Sequence, residues 1–497
     1  MGGGETAEVS HTRALAVALA AAAALSLLWS VQTHWDPRPD AARYILAARS
    51  LARGEGYAYW GVPFTLRPPG FSALLAPLLL WRGLDFTALN LFVSLVGVLA
   101  CVLFYLLLAP RAGAPVAAAA AAALWLNPLF QRLCNQVMSD VPGLAVALAA
   151  LLVMRGSREG SSAGRGDWIA ALLMAAAAYV RAANLALIPA FLFDRRFALR
   201  RAAAPVGLTM ALLLPWAVHA STASRRVAGV TPSLESYWTA AWHSDATDPD
   251  SPALDATGWG ERGRSHAVAY AGLLGTDLAP EEPSAVGWIV ALLVFLGWLV
   301  SAIRRREAAD AYNAAMMVIL LAYYTSAPRL FLPVFVLAWG GALDTARWLA
   351  GKRLPVRVVD TLLVACLLAG AAASFRADFM PPGSRARYAD LLQVSRHLRD
   401  VAPQESLAGD VGVVYGVLLD RPVYSLRPAM RDGGLAAALD MIERYRVDRV
   451  VLDRGGACAP LLQEAGARGA AVQDFGRYAV VHWSRPGADA AAPPGAQ

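Results

Sequence analysis

Long apolar runs separated by short polar connections occupy roughly the first three quarters of the chain. Most runs are roughly 15 to 25 residues long, the length that a helix needs to cross ~30 Å of hydrocarbon at ~1.5 Å per residue. We therefore predict an all-α polytopic membrane bundle of about eleven transmembrane helices. The predicted spans lie at 14–31, 86–108, 115–130, 141–154, 203–220, 285–303, 311–326, 331–346 and 358–375, with two more inside 168–193.

The run 168–193 is interrupted by Arg181 and Asn184 and is followed by the basic stretch 194–201. A single span would place that stretch outside, although cytoplasmic connections carry most basic residues in membrane proteins. Two short helices that meet at the outer surface around Arg181 keep both basic flanks inside. The two-helix interpretation is favoured, and the single span stays open.

Arginine clusters follow alternate spans, as expected for cytoplasmic connections, and they predict the orientation of the chain. The predicted domains are a cytoplasmic N-terminus at 1–13 and a transmembrane module at 14–376, with outer segments at 32–70 and 221–284. We expect a multi-pass protein of the cell inner (plasma) membrane.

The pattern changes after residue 376. The stretches 386–401 and 435–445 alternate polar and apolar residues at the helical period, whereas 449–453 and 478–482 have the composition of strands. We predict a small C-terminal extracytoplasmic α/β domain at 377–484. The last residues, 485–497, are rich in Ala, Pro and Gly and predict a disordered tail.

Composition agrees with a membrane protein, since 57% of the residues are hydrophobic, 16% are charged and the mean hydropathy is +0.44. The net charge of +7 lies in the connections between spans, so we expect membrane lipids and no nucleic acid as partners. The four cysteines have no metal or redox spacing. Free thiols are favoured over a bridge between Cys134 and Cys458.

Polar residues are densest in the outer segment 32–70. Asp40 follows a proline and precedes a helix-forming run, which makes it a natural N-cap. Tyr44 lies on one face of that helix and Arg49 and Arg53 on another, so we expect the helix to lie along the membrane interface. Capping alone is enough to explain Asp40 from composition.

The motif Asp40-x-x-Arg43-Tyr44, the turn at 54–57 and the run Arg67-Pro68-Pro69-Gly70 resemble the first outer loop of the bacterial GT-C glycosyltransferases. That superfamily includes protein O-mannosyltransferases and the lipid A aminoarabinose transferase. Asp140 is similar to the acidic residue of their second outer loop, and Arg329 to the basic residue of a late Arg-Tyr-x-x-Pro segment. The resemblance extends to the outer C-terminal domain.

The resemblance implies transfer of a sugar from a polyprenyl-phosphate carrier to an extracytoplasmic acceptor, which can be a protein, a lipid or a glycan. Asp40 would act as general base in an inverting displacement, since it only has to accept the proton as the new bond forms. Arg43, Tyr44 and Asp140 would contribute to substrate binding. Arg67, Arg181 and Arg329 would hold the phosphate by charge-assisted hydrogen bonds. Snorkelling from helix ends is the alternative for these arginines.

No cofactor is certain from the sequence. Some relatives carry further acidic residues beside the leading Asp and before the basic residue, where this chain has Ala41 and Leu66. A divalent metal stays open, with Asp36 or Asp140 as oxygen ligands, and Asp140 is equally a helix cap.

The segment 221–284 combines acidic and His side chains with tryptophans, and it suits either an acceptor-covering lid or a solvated loop docked by its aromatic rings. The members are His243, Asp245, Asp248, Glu261 and His266 with Trp238, Trp242 and Trp259. Two other classes stay open for the whole chain. One is a transporter or flippase, which usually needs charges near the bilayer midplane, and the other is a non-catalytic membrane scaffold.

Overall fold

The computed structural model describes residues 3–156, 163–194, 199–223, 241–245, 251–279, 281–375, 379–401 and 404–483. The chain divides into two compact units. The first unit comprises Met1–Thr33, Thr65–Ala223 and Leu234–Met380, and the second comprises His34–Phe64, Ser224–Ser233 and Pro381–Gln497. The predicted outer segment that contains Asp40 therefore shares a unit with the C-terminal region.

Helices build the described part of the first unit. They are α1 (Gly3–Ser30), α3 (Gly70–Arg82), α4 (Phe86–Ala112), α5 (Ala114–Leu126), α6 (Pro128–Cys134), α7 (Asp140–Gly156), α8 (Arg165–Val180), a 3-10 turn (Ala182–Ala186), α9 (Leu187–Asp194), α10 (Leu199–Thr222), α11 (Ala256–Gly275), α12 (Ala285–Arg305), α13 (Ala308–Ala322), α14 (Pro328–Ala350) and α15 (Val356–Ser374). Most of the residues of α7 are buried, and this helix packs against α4 and α8.

Polar residues fix several helix starts in this apolar unit. The Asp85 carboxylate accepts hydrogen bonds from the backbone N–H groups of Thr87 (2.9 Å) and Ala88 (3.2 Å) at the start of α4. The Asn127 side chain does the same for Phe130 (3.1 Å) at α6. These oxygens satisfy N–H groups that have no partner inside the helix, which matters most where water is scarce.

In the described part of the chain, six helices are long and apolar enough to cross a membrane, and a seventh span results if the pair α5 and α6, bent by 66°, is one crossing. A multi-pass membrane protein is thereby confirmed, but the predicted count of eleven is not. Helices do occur at the other predicted spans, α7, α8, α9 and α13, but they have only 17, 16, 8 and 15 residues. The apolar runs were therefore identified correctly as helices, but these four helices are too short to be counted as spans by length.

The run 168–193 is broken at Arg181, as its polar interruption predicts. α8 ends at Val180, and Arg181 has an extended backbone (φ −152°, ψ 115°) before the 3-10 turn begins. The predicted break into two helices is therefore present, and the reason is local: the Arg181 side chain pairs with an acidic partner, Asp140, outside its own helix.

Several buried charges of the first unit are paired. Arg111, near the end of α4, lies 2.7 Å from Glu307 and 3.1 Å from Asp310. Arg305 lies 2.6 Å from Asp344. Because an isolated charge in an apolar interior costs several kcal/mol or more, such pairs join the helix ends that carry them.

The second unit begins with α2 (Pro39–Ala52) and a hairpin of β1 (Ala58–Tyr59) and β2 (Val62–Pro63). The helix begins at Pro39 with Arg38 at the N-cap position, so the expectation that Asp40 is the N-cap was wrong. Proline suits the first helical position because its missing N–H would have no partner there. Residues on more than one face of α2 are buried, including Tyr44, Ile45 and Ala48, unlike a helix with a single apolar face.

The rest of the second unit is an α/β domain. Its elements are α16 (Ser384–Val401), β3 (Leu407–Gly409), α17 (Gly412–Leu419), β4 (Tyr424–Ser425), α18 (Arg427–Arg444, kinked at Gly433 and Gly434), β5 (Arg449–Asp453), α19 (Pro460–Ala467), β6 (Ala471–Phe475) and β7 (Tyr478–His482). The sheet has the order β4-β3-β5-β7-β6, with β3 parallel to β4 and β5, and β7 antiparallel to its neighbours. Side chains of Val450, Leu452 and Val481 form its buried core.

This domain confirms the predicted mixture of helix and strand, including both predicted strands at their predicted residues. All four cysteines are free, as favoured from their spacing. The predicted disordered tail at 485–497, and 224–240, 246–250 and 280 of the long outer segment, lie outside the described residues.

Asp410 lies directly after β3 and is 2% exposed. Burial, and to a smaller extent Asp453, raise the pKa of its carboxyl, whereas a hydrogen bond with Cys458 and the charge of Arg427 lower it, and the resulting pKa is about 6. The Cys458 thiol and the Tyr415 ring lie in the same cluster, and burial raises the pKa of both groups. The protonated form of Asp410 is therefore favoured by folding.

We expect Gly70→Ala to destabilise the first unit. A Cβ at Gly70 would lie 2.6 Å from the backbone C and O of Tyr179, which cannot give way as a flexible side chain could. Overpacking of this kind costs about 1–3 kcal/mol. The matched control is Gly207→Ala, where a Cβ meets nothing within 4 Å. Thermal unfolding of the purified protein should show a lower Tm for the first variant only, and equal Tm values would contradict the packing described.

We expect Asp410→Asn to stabilise the C-terminal domain at neutral pH. The native carboxyl gives its full stabilisation below its ordinary pKa of 3.8 and loses it as the pH rises through about 6. The loss corresponds to about 3 kcal/mol. Asn stays neutral throughout, so amide hydrogen exchange in β3 and β5 should slow relative to the parent at pH 7 and match it near pH 4. Equal exchange of parent and variant at pH 7 would show that folding does not raise the pKa of Asp410.

Candidate functional site

The Asp140 carboxylate is the point on which two predicted site arginines converge. Asp140 is the first residue of α7 and is 2% exposed. One carboxylate oxygen accepts a hydrogen bond from Arg181, and the other lies 3.7 Å from a guanidinium nitrogen of Arg329. Among these three side chains, positive charge exceeds negative charge by one.

Arg181 reaches Asp140 because of two features of the neighbouring backbone. The helix break removes Arg181 from α8. Gly143, one turn into α7, leaves room for it, since a Cβ there would lie 3.0 Å from Cβ and 3.1 Å from Cδ of Arg181. The Arg181 side chain therefore crosses α7 where this helix has no side chain.

Asn184 and Tyr312 fix the turn that follows Arg181. The Asn184 amide donates to the carbonyl oxygens of Gly143 (3.0 Å) and Ala177 (3.1 Å). The Tyr312 hydroxyl, from α13, donates to the Asn184 side-chain oxygen at 2.7 Å. Both side chains are buried, so the turn is held from three directions. In the sequence, Asn184 stands out only because it interrupts an apolar run. Tyr312 lies inside another apolar run, where no sequence pattern indicates a functional role.

Arg329 is the second residue of α14, and its side chain is 33% exposed, whereas that of Arg181 is 11% exposed. Its guanidinium also lies 3.8 Å from the Met138 sulfur. A helix N-terminus carries partial positive charge. The pair of guanidinium groups is consequently accessible from the Arg329 side, and its positive charge suits an anion.

Arg67 is 9% exposed and precedes the Pro68-Pro69 pair, with Pro69 at the N-cap of α3. The next residue, Gly70, packs directly on the backbone of Tyr179 and Val180. These two residues immediately precede Arg181. The loop that carries Arg67 is thus anchored beside the helix break, although no sequence signal links the two segments.

In the second unit, Asp40 lies in the first turn of α2, with its side chain 17% exposed and one oxygen 3.5 Å from the Arg43 guanidinium. Tyr44 is 3% exposed. Arg43 also interacts with Tyr59, where burial raises the pKa of the phenol and the positive charge of Arg43 opposes the shift. Asp40 and Arg43, predicted as base and substrate contact, are therefore neighbours on one turn of helix.

Asp36 lies 3.0 Å from Arg38. The described residues contain no group of three or more His, Cys, Asp or Glu side chains arranged to hold a metal ion. In the long outer segment, the rings of Trp242 and Trp259 pack edge to face, and His266 Nδ1 lies 3.1 Å from the Leu320 carbonyl oxygen. Asp248 and Trp238 fall outside the described residues.

Two solved structures resemble the whole chain. ArnT from Cupriavidus metallidurans, bound to undecaprenyl phosphate, has a TM-score of 0.63 at 16% identity, over 94% of this chain and 97% of its own. The oligosaccharyltransferase AglB from Archaeoglobus fulgidus, in complex with an inhibitory peptide and a dolichol-phosphate, has a TM-score of 0.56 at 14% identity, over 89% of this chain and 69% of its own. These similarities concern the fold.

Comparison with curated protein sequences gives no match. The sequence profile described as Glycosyltransferase family 87 matches residues 64–333, which is more than half of the chain. With the fold, this match confirms the resemblance to GT-C membrane glycosyltransferases. The chain belongs to glycosyltransferase family 87.

Proposed function

We propose that this glycosyltransferase moves a sugar from a polyprenyl-phosphate carrier to an acceptor on the extracytoplasmic side of the membrane. The observation that carries the proposal is the convergence of Arg181 and Arg329 on Asp140. A lipid phosphate leaves the sugar as an anion, and guanidinium groups stabilise such an anion by charge-assisted, often bidentate hydrogen bonds. The lipid phosphates bound to ArnT and AglB support a donor of this kind.

In this proposal, Asp140 contributes to the substrate-binding site by positioning the two arginines. A buried carboxylate that accepts from Arg181 keeps the guanidinium in place without filling all five of its N–H donors. Arg329, the more exposed of the two, would bind the phosphate directly. Arg67 would add a third guanidinium, since its loop is anchored beside Arg181 through Gly70.

Asp40 would act as general base. The acceptor hydroxyl attacks the anomeric carbon, the bond from that carbon to the phosphate oxygen breaks on the opposite side, and the hydroxyl proton passes to the Asp40 carboxylate. The product has inverted configuration. Arg43, 3.5 Å from Asp40, would orient the carboxylate and favour its ionised form, and Tyr44 would contact the substrate.

The topology follows from the same proposal. We place the N-terminus in the cytoplasm, let the shorter helices α7, α8, α9 and α13 complete eleven crossings, and place the domain at 377–484 outside. Arg304, Arg305 and Arg347 then lie on the cytoplasmic side, as expected from the excess of basic residues in cytoplasmic connections.

We expect Asp40→Asn to lose sugar transfer by about 10²–10⁴-fold, the usual contribution of a general base. The measurement uses the purified protein, a panel of radiolabelled polyprenyl-phosphate sugars and membrane extract from its own host. Asp440→Asn is the control, since that side chain is 62% exposed and pairs only with Arg444 on the same helix turn among the contacts described. If the two variants transfer sugar equally, Asp40 is not the base.

Arg329→Gln should raise the KM for the lipid-linked donor while leaving the KM for the acceptor near that of the parent. Loss of a charge-assisted hydrogen bond costs about 1.5–3 kcal/mol, or roughly 10- to 150-fold. Arg329→Lys should recover part of the loss, because the charge stays but the planar fork is gone. Arg444→Gln, on the second unit, controls for a lost surface charge. An unchanged donor KM for Arg329→Gln would remove Arg329 from the phosphate site.

A further inference from the structure

A pocket of about 360 Å³ lies in the second unit at the C-terminal end of α2. This volume is in the range that small ligands occupy, ~300–1,000 Å³. The side chains that give it its chemistry are Arg49, Arg53, Glu55, Tyr59, Trp60 and Asp420. None of these is a predicted site residue, and the mechanism above does not use them.

Trp60 occupies an unfavourable backbone position in this pocket. The two residues between β1 and β2, Trp60 and Gly61, have φ of 53° and 73°. A two-residue hairpin turn with both φ values positive strongly prefers Asn-Gly or Gly-Gly, and a bulky side chain in this region is a genuine outlier. A strained position of this type suggests a function for the side chain that occupies it.

The Trp60 ring is held in place from two sides. It packs edge to face on Tyr59, with ring centroids 5.6 Å apart. On the other side it lies so close to Gly416 of α17 that an added Cβ would overlap the ring. The ring is only partly buried, so a planar apolar surface is fixed at the pocket wall.

The charged groups of the pocket balance one another. Arg49 lies 2.7 Å from Asp420, and Arg53 pairs with the other oxygen of the same carboxylate. Glu55 is exposed at the rim and, together with Asp420, raises the pKa of Arg53. Two cations and two anions leave no net charge among these side chains, so an anionic ligand gains little here.

A neutral sugar fits these observations better than an anion does. Each sugar hydroxyl both donates and accepts hydrogen bonds, and the pocket offers donors on Arg49 and Arg53 and acceptors on Glu55 and Asp420. The apolar face of a sugar ring can pack on a fixed indole ring such as that of Trp60. Preformed aromatic and charged side chains also reduce the entropy lost on binding.

We propose that this pocket binds a neutral sugar residue of the acceptor, so that the acceptor is a glycan. The assignment of this sugar to the acceptor rests on the proposed function. Arg49 follows Asp40 by nine residues in α2, a separation of ~14 Å along the axis at ~1.5 Å per residue. A donor sugar that reacts at Asp40 is too far away to fill the pocket, whereas a longer acceptor glycan can reach it.

The test measures binding of free glycans to the full-length protein in nanodiscs. Oligosaccharides released from the host envelope by mild acid are labelled at the reducing end and separated into neutral and acidic fractions. The parent should retain neutral members. Arg53→Gln and Glu55→Gln should each weaken their binding by at least tenfold, whereas Arg444→Gln should not change it. Both test residues have exposed side chains, so these variants should fold even if Trp60→Leu does not.

Glycan retention and sugar transfer are measured separately on the parent, so that this proposal and the proposed function can fail independently. Retention without transfer by the parent would refute the proposed reaction while the sugar site stands. The site itself is refuted if the parent retains no glycan, if it retains only the acidic fraction, or if Arg53→Gln and Glu55→Gln bind as the parent does. Competition by the polyprenyl-phosphate sugar would assign the pocket to the donor and overturn the acceptor proposal.

Discussion

The pairing of buried charges is the constraint on which the first unit depends. An apolar bundle cannot solvate the Asp140 carboxylate, so the start of α7 has to lie where a cation can reach it. Arg181 supplies that cation only because α8 breaks before it and Gly143 leaves a gap. Arg329 adds the start of α14 to the same point. One acidic residue therefore determines the positions of three helix ends.

Much of the fold could be predicted from local sequence because its causes are local. Apolar runs locate the helices, the strands at 449–453 and 478–482 follow from their composition, and the break at Arg181 follows from a charge in an apolar run. The number of membrane crossings was harder to predict, since an apolar run does not show whether a helix of 17 residues or fewer, such as α7 or α13, crosses the bilayer. The N-cap of α2 was wrong by two residues because Pro39 competes with Asp40 for the helix start.

The candidate site was predictable in its residue types and only partly in its contacts. The order of Asp40, Asp140, Arg181 and Arg329 pointed to the chemistry, but the pairing of Arg181 and Arg329 with Asp140 joins residues that are 41 and 189 positions apart. The Gly70 contact with Tyr179 and the hydrogen bond from Tyr312 to Asn184 also join residues that are far apart in the sequence. A single sequence carries no signal for such contacts, because each half looks like an ordinary helix end or core residue.

The charge count distinguishes Arg111, which is fully paired, from arginines that share one carboxylate, namely Arg181 and Arg329 at Asp140 and Arg304 and Arg305 at Asp344. Arg111 is 5% exposed on its side chain and meets two carboxylates, Glu307 and Asp310, so a further anion would be repelled there. At Asp140 the ratio of positive to negative groups is reversed, because two guanidinium groups meet one carboxylate. The side chain of Arg329 is 33% exposed. Ion pairing at Arg111 satisfies a structural need completely, whereas at Asp140 it positions cations in excess of what the fold requires. An excess of positioned cations suits an anion such as a lipid phosphate. Our proposed topology puts Arg304 and Arg305 on the cytoplasmic side, so the cluster at Asp140 is the one that we assign to the lipid phosphate.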